Sequence, residues 1–298
     1  MFIMRYIFSI LFVIICSSAL SQEAINIWKN SENKSKDVTL TPFIPDNPNG
    51  VVIIVCPGGS YCWLDYETEG VGVAKWLNTH GITAFVLQYR VAGVWSYITH
   101  DRLIVPRNQH PAMISDIQKA IQWVRENSSN YPINPNKLGV MGFSAGGHLA
   151  MSSAVFHRTN FLNQYDITCN VSLKPNFVAP IYPVVTMSNK DFVHKRSRRG
   201  LLGEWKKTKS YMKDSLSLEK NIPNDCPPVF LMNCKDDPVV KYQNSELLDS
   251  ALSAKGINHK YIQYETGGHG FGANPLKTST EAINWRNEFI KWLNQIII

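Results

Sequence analysis

Short apolar runs alternate along the chain with longer stretches in which apolar residues recur at helical spacing. The run "GVVIIV" (50–55) is followed by "EGVGVAKWLNTHG", and "ITAFVLQYR" by "AMISDIQKAIQWVRENS". Strand-like and helix-like segments then continue in the order "KLGVMG", "GHLAMSSAVF", "NFVAPIYPVV", "PVFLMNC", "NSELLDSALSAKG", "HKYIQYE" and "EAINWRNEFIKWLNQI". Continuous apolar strands separated by amphipathic helices predict an α/β fold, with a mostly parallel sheet covered by helices on both faces.

The N-terminus departs from this pattern. Arg5 precedes an apolar run over residues 6–15, and the small, polar stretch "CSSALSQ" follows it. The run is shorter than the roughly 20 residues that a membrane-spanning helix needs, so it predicts a secretory signal peptide rather than a stable membrane anchor. A lipoprotein modified at Cys16 is the alternative, but Ile15 stands where a small residue normally precedes the lipidated cysteine. We therefore expect an exported protein with a signal peptide over 1–21 and a single domain over 22–298.

The net charge of +7 comes mostly from one segment, 195–209. Its basic residues are Lys195, Arg196, Arg198, Arg199, Lys206, Lys207 and Lys209. The segment is either a solvated basic loop or a surface that attracts an acidic polymer. Nucleic acid is not the expected partner, because no nucleic-acid-binding module is evident.

Cysteine and histidine usage does not indicate a metal. Five of the six cysteines follow the signal peptide, an odd number that leaves at least one thiol without a partner in the chain. Neither a pair of CxxC motifs nor HExxH occurs, so we predict no metal and no cofactor.

The motif "GFSAGG" (142–147) lies where a predicted strand must turn into a predicted helix. Gly142 and Gly146 leave room for a tight turn with Ser144 at its tip, beside the positive N-terminal end of the helix. This strand–turn–helix context indicates a nucleophile elbow, and Ser144 is the candidate nucleophile.

A serine hydroxyl needs a base to take its proton, and the base needs an acid to orient it. The predicted strand "HKYIQYE" is followed by "TGGHGFG", which makes His269 the candidate base. The strand "PVFLMNC" is followed by "KDDPVV", so the acid is Asp236 or Asp237. Adjacent loop residues point in different directions, and these residues alone do not choose between them.

Backbone donors for an oxyanion are predicted after the first strand. The segment "CPGGSY" (56–61) supplies N–H groups there, and the N–H of Ala145 follows the nucleophile directly. His148 lies one helical turn after Ser144, so its side chain should point away from the turn, and we interpret it as packing.

These motifs together resemble the exported bacterial α/β-hydrolases of the acetyl esterase, acetylxylan esterase and feruloyl esterase kind, relatives of the prolyl oligopeptidase hydrolase domain. The resemblance extends from "PGGSY" through "GFSAGGHLA" and "CPPVFLMNCKDDPVV" to "GGHGFG". It implies that Asp236 is the acid of a triad with Ser144 and His269, and that Gly59 and Ser60 form the oxyanion loop. The implied activity is the hydrolysis of acyl esters, acetyl first, on carbohydrate such as acetylated xylan. The basic segment 195–209 adds the expectation of acidic, uronic-acid-bearing chains as substrates.

Several alternatives remain open at this point. A feruloyl ester is the second candidate substrate, since Tyr61, Trp63 and Trp95 lie on segments near the cleft and could stack on an aromatic acyl group. A serine peptidase would use the same three residues but usually carries an N-terminal propeller. A non-catalytic carbohydrate-binding descendant would normally have lost one of them.

Overall fold

The computed structural model describes residues 23–29, 37–95 and 108–297. The predicted signal peptide, with Cys16, lies outside these residues, as do residues 96–107. Within them the chain forms one sheet of eight strands with seven α-helices. The strands are β1 (Ile25–Asn26), β2 (Thr39–Phe43), β3 (Gly50–Cys56), β4 (Thr83–Gln88), β5 (Ile133–Phe143), β6 (Phe177–Ile181), β7 (Val229–Cys234) and β8 (His259–Tyr264). The helices are α1 (Gly72–Asn78), α2 (Ala112–Glu126), α3 (Ala145–Val155), α4 (Lys195–Lys206), α5 (Ser210–Ser215), α6 (Gln243–Ala254) and α7 (Trp285–Ile296).

The strand order is β1-β2-β4-β3-β5-β6-β7-β8. The strands from β4 to β8 are parallel, whereas β2 pairs antiparallel with both β1 and β4. This confirms the predicted α/β fold with a mostly parallel sheet. The antiparallel edge was not predicted.

Apolar residues on β3 alternate between two cores, one on each face of the sheet. Val52 and Ile54 pack into the core that α2 and α3 cover, while Ile53 and Val55 pack into the core under α1 and α7. Because both faces are buried, the strand is a continuous apolar run, as parallel strands covered on two sides usually are. No helix in the described ranges has both the length and the apolar character needed to cross a membrane.

The strand order reverses at β3. The next strand in the chain, β4, pairs with one edge of β3, and β5 then pairs with the opposite edge, so the carboxyl ends of β3 and β5 are neighbours. Cys56 at the end of β3 lies in register with Gly142 near the end of β5. Ligands of open α/β sheets bind at such a reversal, and here it brings the loops after β3 and β5 together.

The basic segment is largely helical rather than a solvated loop. It forms α4 and ends at Lys209, directly before α5, with Ser197, Leu201 and Leu202 buried against the rest of the molecule. Gly203, with φ 69° and ψ −177°, interrupts α4 near its end. The loop interpretation of this segment is therefore wrong, because the apolar face of α4 anchors it.

Candidate active site

Ser144 stands at the turn between β5 and α3 with φ 54° and ψ −119°, a backbone conformation that non-glycine residues rarely adopt. The neighbouring glycines are required by close backbone contacts. A Cβ on Gly142 would lie 2.0 Å from the carbonyl oxygen of Gly146, and one on Gly146 would lie 2.1 Å from that of Cys56. The turn is thus packed between its own helix and the end of β3, which fixes the serine at the edge of the sheet.

His269 contacts both the serine and an aspartate. Its Nε2 lies 2.8 Å from Ser144 Oγ, and its Nδ1 lies 2.5 Å from Asp237 Oδ2. An ionised carboxylate only accepts hydrogen bonds, so Nδ1–H donates to Asp237, and Nε2 of the neutral ring accepts from the serine hydroxyl. This tautomer is the one that lets His269 act as a base toward Ser144.

The structure corrects the assignment of the acid, which the family resemblance had given to Asp236. Asp236 accepts hydrogen bonds from the backbone N–H groups of Gly267 and Gly268, at 3.1 and 2.9 Å, and so ties the loop after β7 to the loop after β8. The second aspartate of the pair, Asp237, is turned toward His269. Adjacent side chains in this tight turn point in different directions, and only the second reaches the imidazole.

The loop after β3 has three consecutive residues with positive φ: Gly59 at 131°, Ser60 at 58° and Tyr61 at 60°. A Cβ on Gly59 would lie 2.1 Å from the carbonyl oxygen of Trp63, so only glycine fits there. Gly59 and Ser60 line the same pocket as Ser144. The predicted donor Ala145 is the first residue of α3, where the backbone N–H has no acceptor within the helix.

The pocket around these groups has a volume of about 220 Å³. Its lining residues are Gly59, Ser60, Trp63, Asp65, Glu69, Ser144, Arg196, Val239, His269 and Gly270. The structure therefore brings together the loops after β3, β5, β7 and β8, whose pocket residues extend from Gly59 to Gly270 in the sequence.

Glu69 is a buried acid of this pocket that the sequence analysis missed. It is 2% exposed, its Oε2 accepts from the N–H of Gly58 at 2.7 Å, and its Oε1 accepts from the hydroxyl of Tyr182 at 2.9 Å. Burial raises its pKa to about 7, although nearby His269 acts in the opposite direction. Helical spacing could have predicted that Glu69 is buried, because it places Glu69 on the same helical face as the buried apolar residues Val73 and Trp76.

Tyr182 connects Glu69 to the histidine loop. Its ring packs against that of His269 with centroids 4.7 Å apart, and its hydroxyl accepts from the N–H of Gly272 at 2.9 Å. Tyr182 follows β6 directly. This position predicts that the residue lies near the site, but it does not predict the contacts with His269 and Gly272. Glu69 and Tyr182 together link the oxyanion loop, through Gly58, with the loop that carries His269.

His148 is buried away from the serine. Its Nδ1 lies 2.8 Å from the hydroxyl of Tyr61 and its Nε2 lies 2.9 Å from the carbonyl oxygen of Leu216. Burial lowers its pKa to about 4, so the ring is neutral at neutral pH. This agrees with its interpretation as packing.

The cysteines after the signal peptide are all free thiols in the structure, and four of them are buried. Burial raises the pKa of Cys62 to about 11 and those of Cys226 and Cys234 to about 12, which makes these thiols poor nucleophiles. Within the described residues, no cluster of three or more His, Cys, Asp or Glu side chains could hold a metal ion.

The fold, the elbow at Ser144 and the hydrogen-bonded serine, histidine and aspartate define the class of this protein. It is an α/β-hydrolase with a serine at the nucleophile elbow. Within that class the chain belongs to the BD-FAE family, whose profile matches residues 45–252. This confirms the predicted resemblance to α/β-hydrolases related to acetylxylan esterases, while the predicted export stays a prediction.

Three relatives illustrate the match. The chain is 30% identical over 258 residues to an acetylxylan esterase of Xylanibacter ruminicola, across 85% of this chain and 48% of that protein. It is 33% identical over 253 residues to endo-1,4-beta-xylanase B of Butyrivibrio fibrisolvens, across 82% of this chain and 37% of that protein. The crystal structure of an acetyl ester-xyloside bifunctional hydrolase from Caldicellulosiruptor lactoaceticus superposes with a TM-score of 0.79 at 31% identity, covering 94% of this chain and 98% of the other. The chain thus spans about half the length of the first of these proteins and less of the second.

Proposed function

We propose that this chain is a serine esterase that removes acyl groups, acetyl above all, from carbohydrate such as acetylated xylan fragments. The hydrogen-bonded series Ser144, His269 and Asp237, at the mouth of a small pocket, carries the proposal. The N-terminal sequence of the chain, which predicts a signal peptide, supports export. Export would bring the enzyme to polymer fragments outside the cell.

In the proposed mechanism Ser144 Oγ attacks the ester carbonyl while His269 Nε2 takes its proton. Asp237 holds the imidazole in the required tautomer and stabilises the imidazolium. The N–H groups of Gly59 and Ala145 donate to the developing oxyanion. His269 then donates this proton to the sugar oxygen as its bond to the acyl carbon breaks, so that the sugar leaves as a free alcohol and an acyl-serine remains. Water, activated by the same histidine, attacks the acyl-serine and releases the free acid.

The size of the pocket favours a small acyl group. A volume of about 220 Å³ is below the range of roughly 300–1,000 Å³ that is usual for sites of drug-sized ligands. Ser60 also lines this pocket, and its buried side chain takes up part of the oxyanion side. An acetyl group is therefore the preferred acyl group.

Feruloyl esters are the second candidate because Trp63 lines the pocket. The other two aromatic residues give this candidate less support. Tyr61 is fully buried and bonded to His148, and Trp95 is 70% exposed at the border of the described residues. A single indole could stack on an aromatic acyl group, so the two substrate classes must be compared directly.

The test is a panel of acetylated and feruloylated xylo-oligosaccharides, with p-nitrophenyl acetate as a reporter, assayed for kcat/KM. We expect acetylated substrates to react faster, and Ser144→Ala to lower kcat by up to about a millionfold with an unchanged melting temperature. Ser153→Ala is the matched control, since Ser153 is a buried serine of the same helix that bonds only to the carbonyl of Ala150 in the described contacts. Near wild-type turnover by Ser144→Ala would exclude the mechanism. Faster hydrolysis of feruloyl esters than of acetyl esters would make feruloyl, and not acetyl, the assigned acyl group.

A further inference from the structure

A second cavity adjoins the pocket that contains Ser144. It has a volume of about 620 Å³ and lies between the N-terminal part of α4 and the loop after β7. Arg196 and Val239 line both cavities, so the two are neighbours along a shared wall. A substrate with its ester at Ser144 would therefore extend toward this cavity.

The lining of the second cavity is strongly basic. The cationic side chains that line it are Lys195, Arg196, Arg198, Arg199 and Lys207, and no Asp or Glu is among its described lining residues. Glu204 lies behind them, with Oε2 at 2.6 Å from Lys207 Nζ and Oε1 at 3.6 Å from Arg199 Nε, and offsets one charge. Burial lowers the pKa of His194 to about 4, so this lining histidine is neutral at neutral pH. A clear excess of positive charge remains.

Arg198 provides a more specific signal than charge alone. Its Nη1 donates to the carbonyl of Met187 at 3.2 Å, while its Nε is buried and has no hydrogen-bond partner in the described part of the chain. The bond to the Met187 carbonyl holds the guanidinium in place at the cavity wall, where it can meet an anion in the cavity. Arginine also suits carboxylates in particular, because its planar fork of N–H groups matches their two oxygens.

The rest of the wall is apolar. Val193, Pro238 and Val239 contribute aliphatic surface, and Val239 is 45% exposed. Aliphatic surface of this kind packs against the C–H faces of a sugar ring, while a few polar groups fix its orientation. The cavity thus combines surfaces for a ring and for an anionic substituent.

From these features we propose that the second cavity binds the carboxylate of a uronic acid residue on the carbohydrate whose ester is cleaved at Ser144. The proposal rests on the proposed function for the identity of the reacting site, and adds a binding subsite for acidic substrates. Arg198 and its basic neighbours hold the carboxylate, and the aliphatic wall supports the ring.

Two acetylated xylo-oligosaccharides, one with and one without a glucuronic acid branch, test the proposal. The measured quantity is the ratio of kcat/KM for the acidic substrate to that for the neutral one. We expect a ratio of about ten for the wild type and a loss of about tenfold in that ratio for Arg198→Ala, the value of one charge-assisted hydrogen bond. Lys195→Ala, an exposed position, serves as a second variant if Arg198→Ala folds poorly.

Lys209→Ala is the matched control, because it removes one positive charge from the same basic segment at an exposed position outside the cavity lining. We expect this control to change the ratio by less than about twofold, since a distant exposed charge is screened by salt. A wild-type ratio of one, or equal losses in Arg198→Ala and Lys209→Ala, would overturn the subsite.

Binding measurements separate failure of the subsite from failure of the proposed function. Isothermal titration calorimetry of Ser144→Ala with acetyl-free xylo-oligosaccharides requires no hydrolysis. We expect the glucuronic acid-bearing ligand to bind about tenfold more tightly than the neutral ligand, and Arg198→Ala to remove the difference. If no ester is hydrolysed but this difference appears, the esterase proposal fails and the subsite stands. If esters are hydrolysed and the two ligands bind equally, the subsite is overturned.

Discussion

The carboxylates of Asp236 and Asp237 have different surroundings although they are adjacent in the chain. The Asp237 side chain is 2% exposed, and its Oδ1 accepts from the N–H groups of Val239 and Val240 while its Oδ2 accepts from His269. Asp236 is exposed and contacts only backbone N–H groups among its described hydrogen bonds. The first arrangement suits an orienting acid, and the second suits a connection between loops.

We therefore predict that Asp237→Asn lowers kcat by about ten-thousandfold, because an amide at this position favours the wrong tautomer of His269. Asp236→Asn is the matched control. Its remaining carbonyl oxygen can still accept from the N–H of Gly268, so kcat should fall by less than about tenfold. The measurement is kcat on p-nitrophenyl acetate, together with the melting temperature of each variant. Larger losses in Asp236→Asn would return the role to that residue.

At the residue scale, the sequence predicted that the catalytic serine and histidine lie together, but it did not predict which aspartate contacts the histidine. The order of serine, aspartate and histidine at strand ends placed Ser144 and His269 on neighbouring loops, and they lie in hydrogen-bond contact. The choice between two adjacent aspartates depends on side-chain direction in one turn, which local sequence does not encode. Glu69 was missed because its contact with Tyr182 joins residues 113 positions apart in the chain.

At the element scale, the junction between β5 and α3 depends on how closely α3 approaches β3. The first turn of the helix lies against the carbonyl groups of Cys56 and Pro57, the latter 2.5 Å from a Cβ placed on Gly146. Any side chain there would separate the helix from the strand. The position of Ser144 relative to the oxyanion loop follows from this contact.

Gly146→Ala should accordingly destabilise the protein by about 3 kcal/mol or more, since backbone atoms would have to move. Gly72→Ala is the control: Gly72 is helical, with φ −59°, and its added Cβ would lie 3.3 Å from the nearest atom. There we expect a change of less than about 1 kcal/mol. Urea denaturation gives both free energies of unfolding. Equal effects of the two substitutions would contradict the packing explanation.

The elements that the sequence predicted are those with long apolar periodicity. The six strands from β3 to β8 and the five helices α1, α2, α3, α6 and α7 occur where the pattern indicated. β1 has only two residues and β2 has five with a proline among them, so neither gives a clear strand signal. α4 was missed because its basic residues outnumber the apolar ones, and only tertiary packing of Leu201 and Leu202 makes it a buried element.

At the scale of the whole molecule, burial of Glu69 makes stability depend on pH. Its pKa rises from an ordinary value of 4.5 to about 7, chiefly through burial. The folded state therefore binds a proton that the unfolded state has lost between these values. The stabilisation is fully present below pH 4.5 and is lost as the pH rises through 7, by an amount of about 3 kcal/mol at 1.36 kcal/mol per pKa unit.

Buried histidines act in the opposite direction. Burial lowers the pKa values of His110, His148 and His194 to about 4, so the unfolded state binds more protons than the folded state between that value and 6.5. Their contribution is present above pH 6.5 and is lost as the pH falls. A pH profile of the wild type alone therefore mixes both effects, and a substitution is needed to separate them.

Glu69→Gln removes the titrating group and keeps its shape, so the difference between this variant and the wild type isolates Glu69. We expect the melting temperature of Glu69→Gln, relative to the wild type, to rise from pH 5 to about pH 7 and to level off above it, because only the wild type must carry a buried charge at the upper end. Glu67→Gln is the matched control, since Glu67 lies in the same turn with an exposed side chain. Its melting temperature should follow that of the wild type at each pH. A constant difference between Glu69→Gln and the wild type across this range would mean that Glu69 is already ionised in the folded protein at pH 5, and that its hydrogen bonds to Gly58 and Tyr182 outweigh burial.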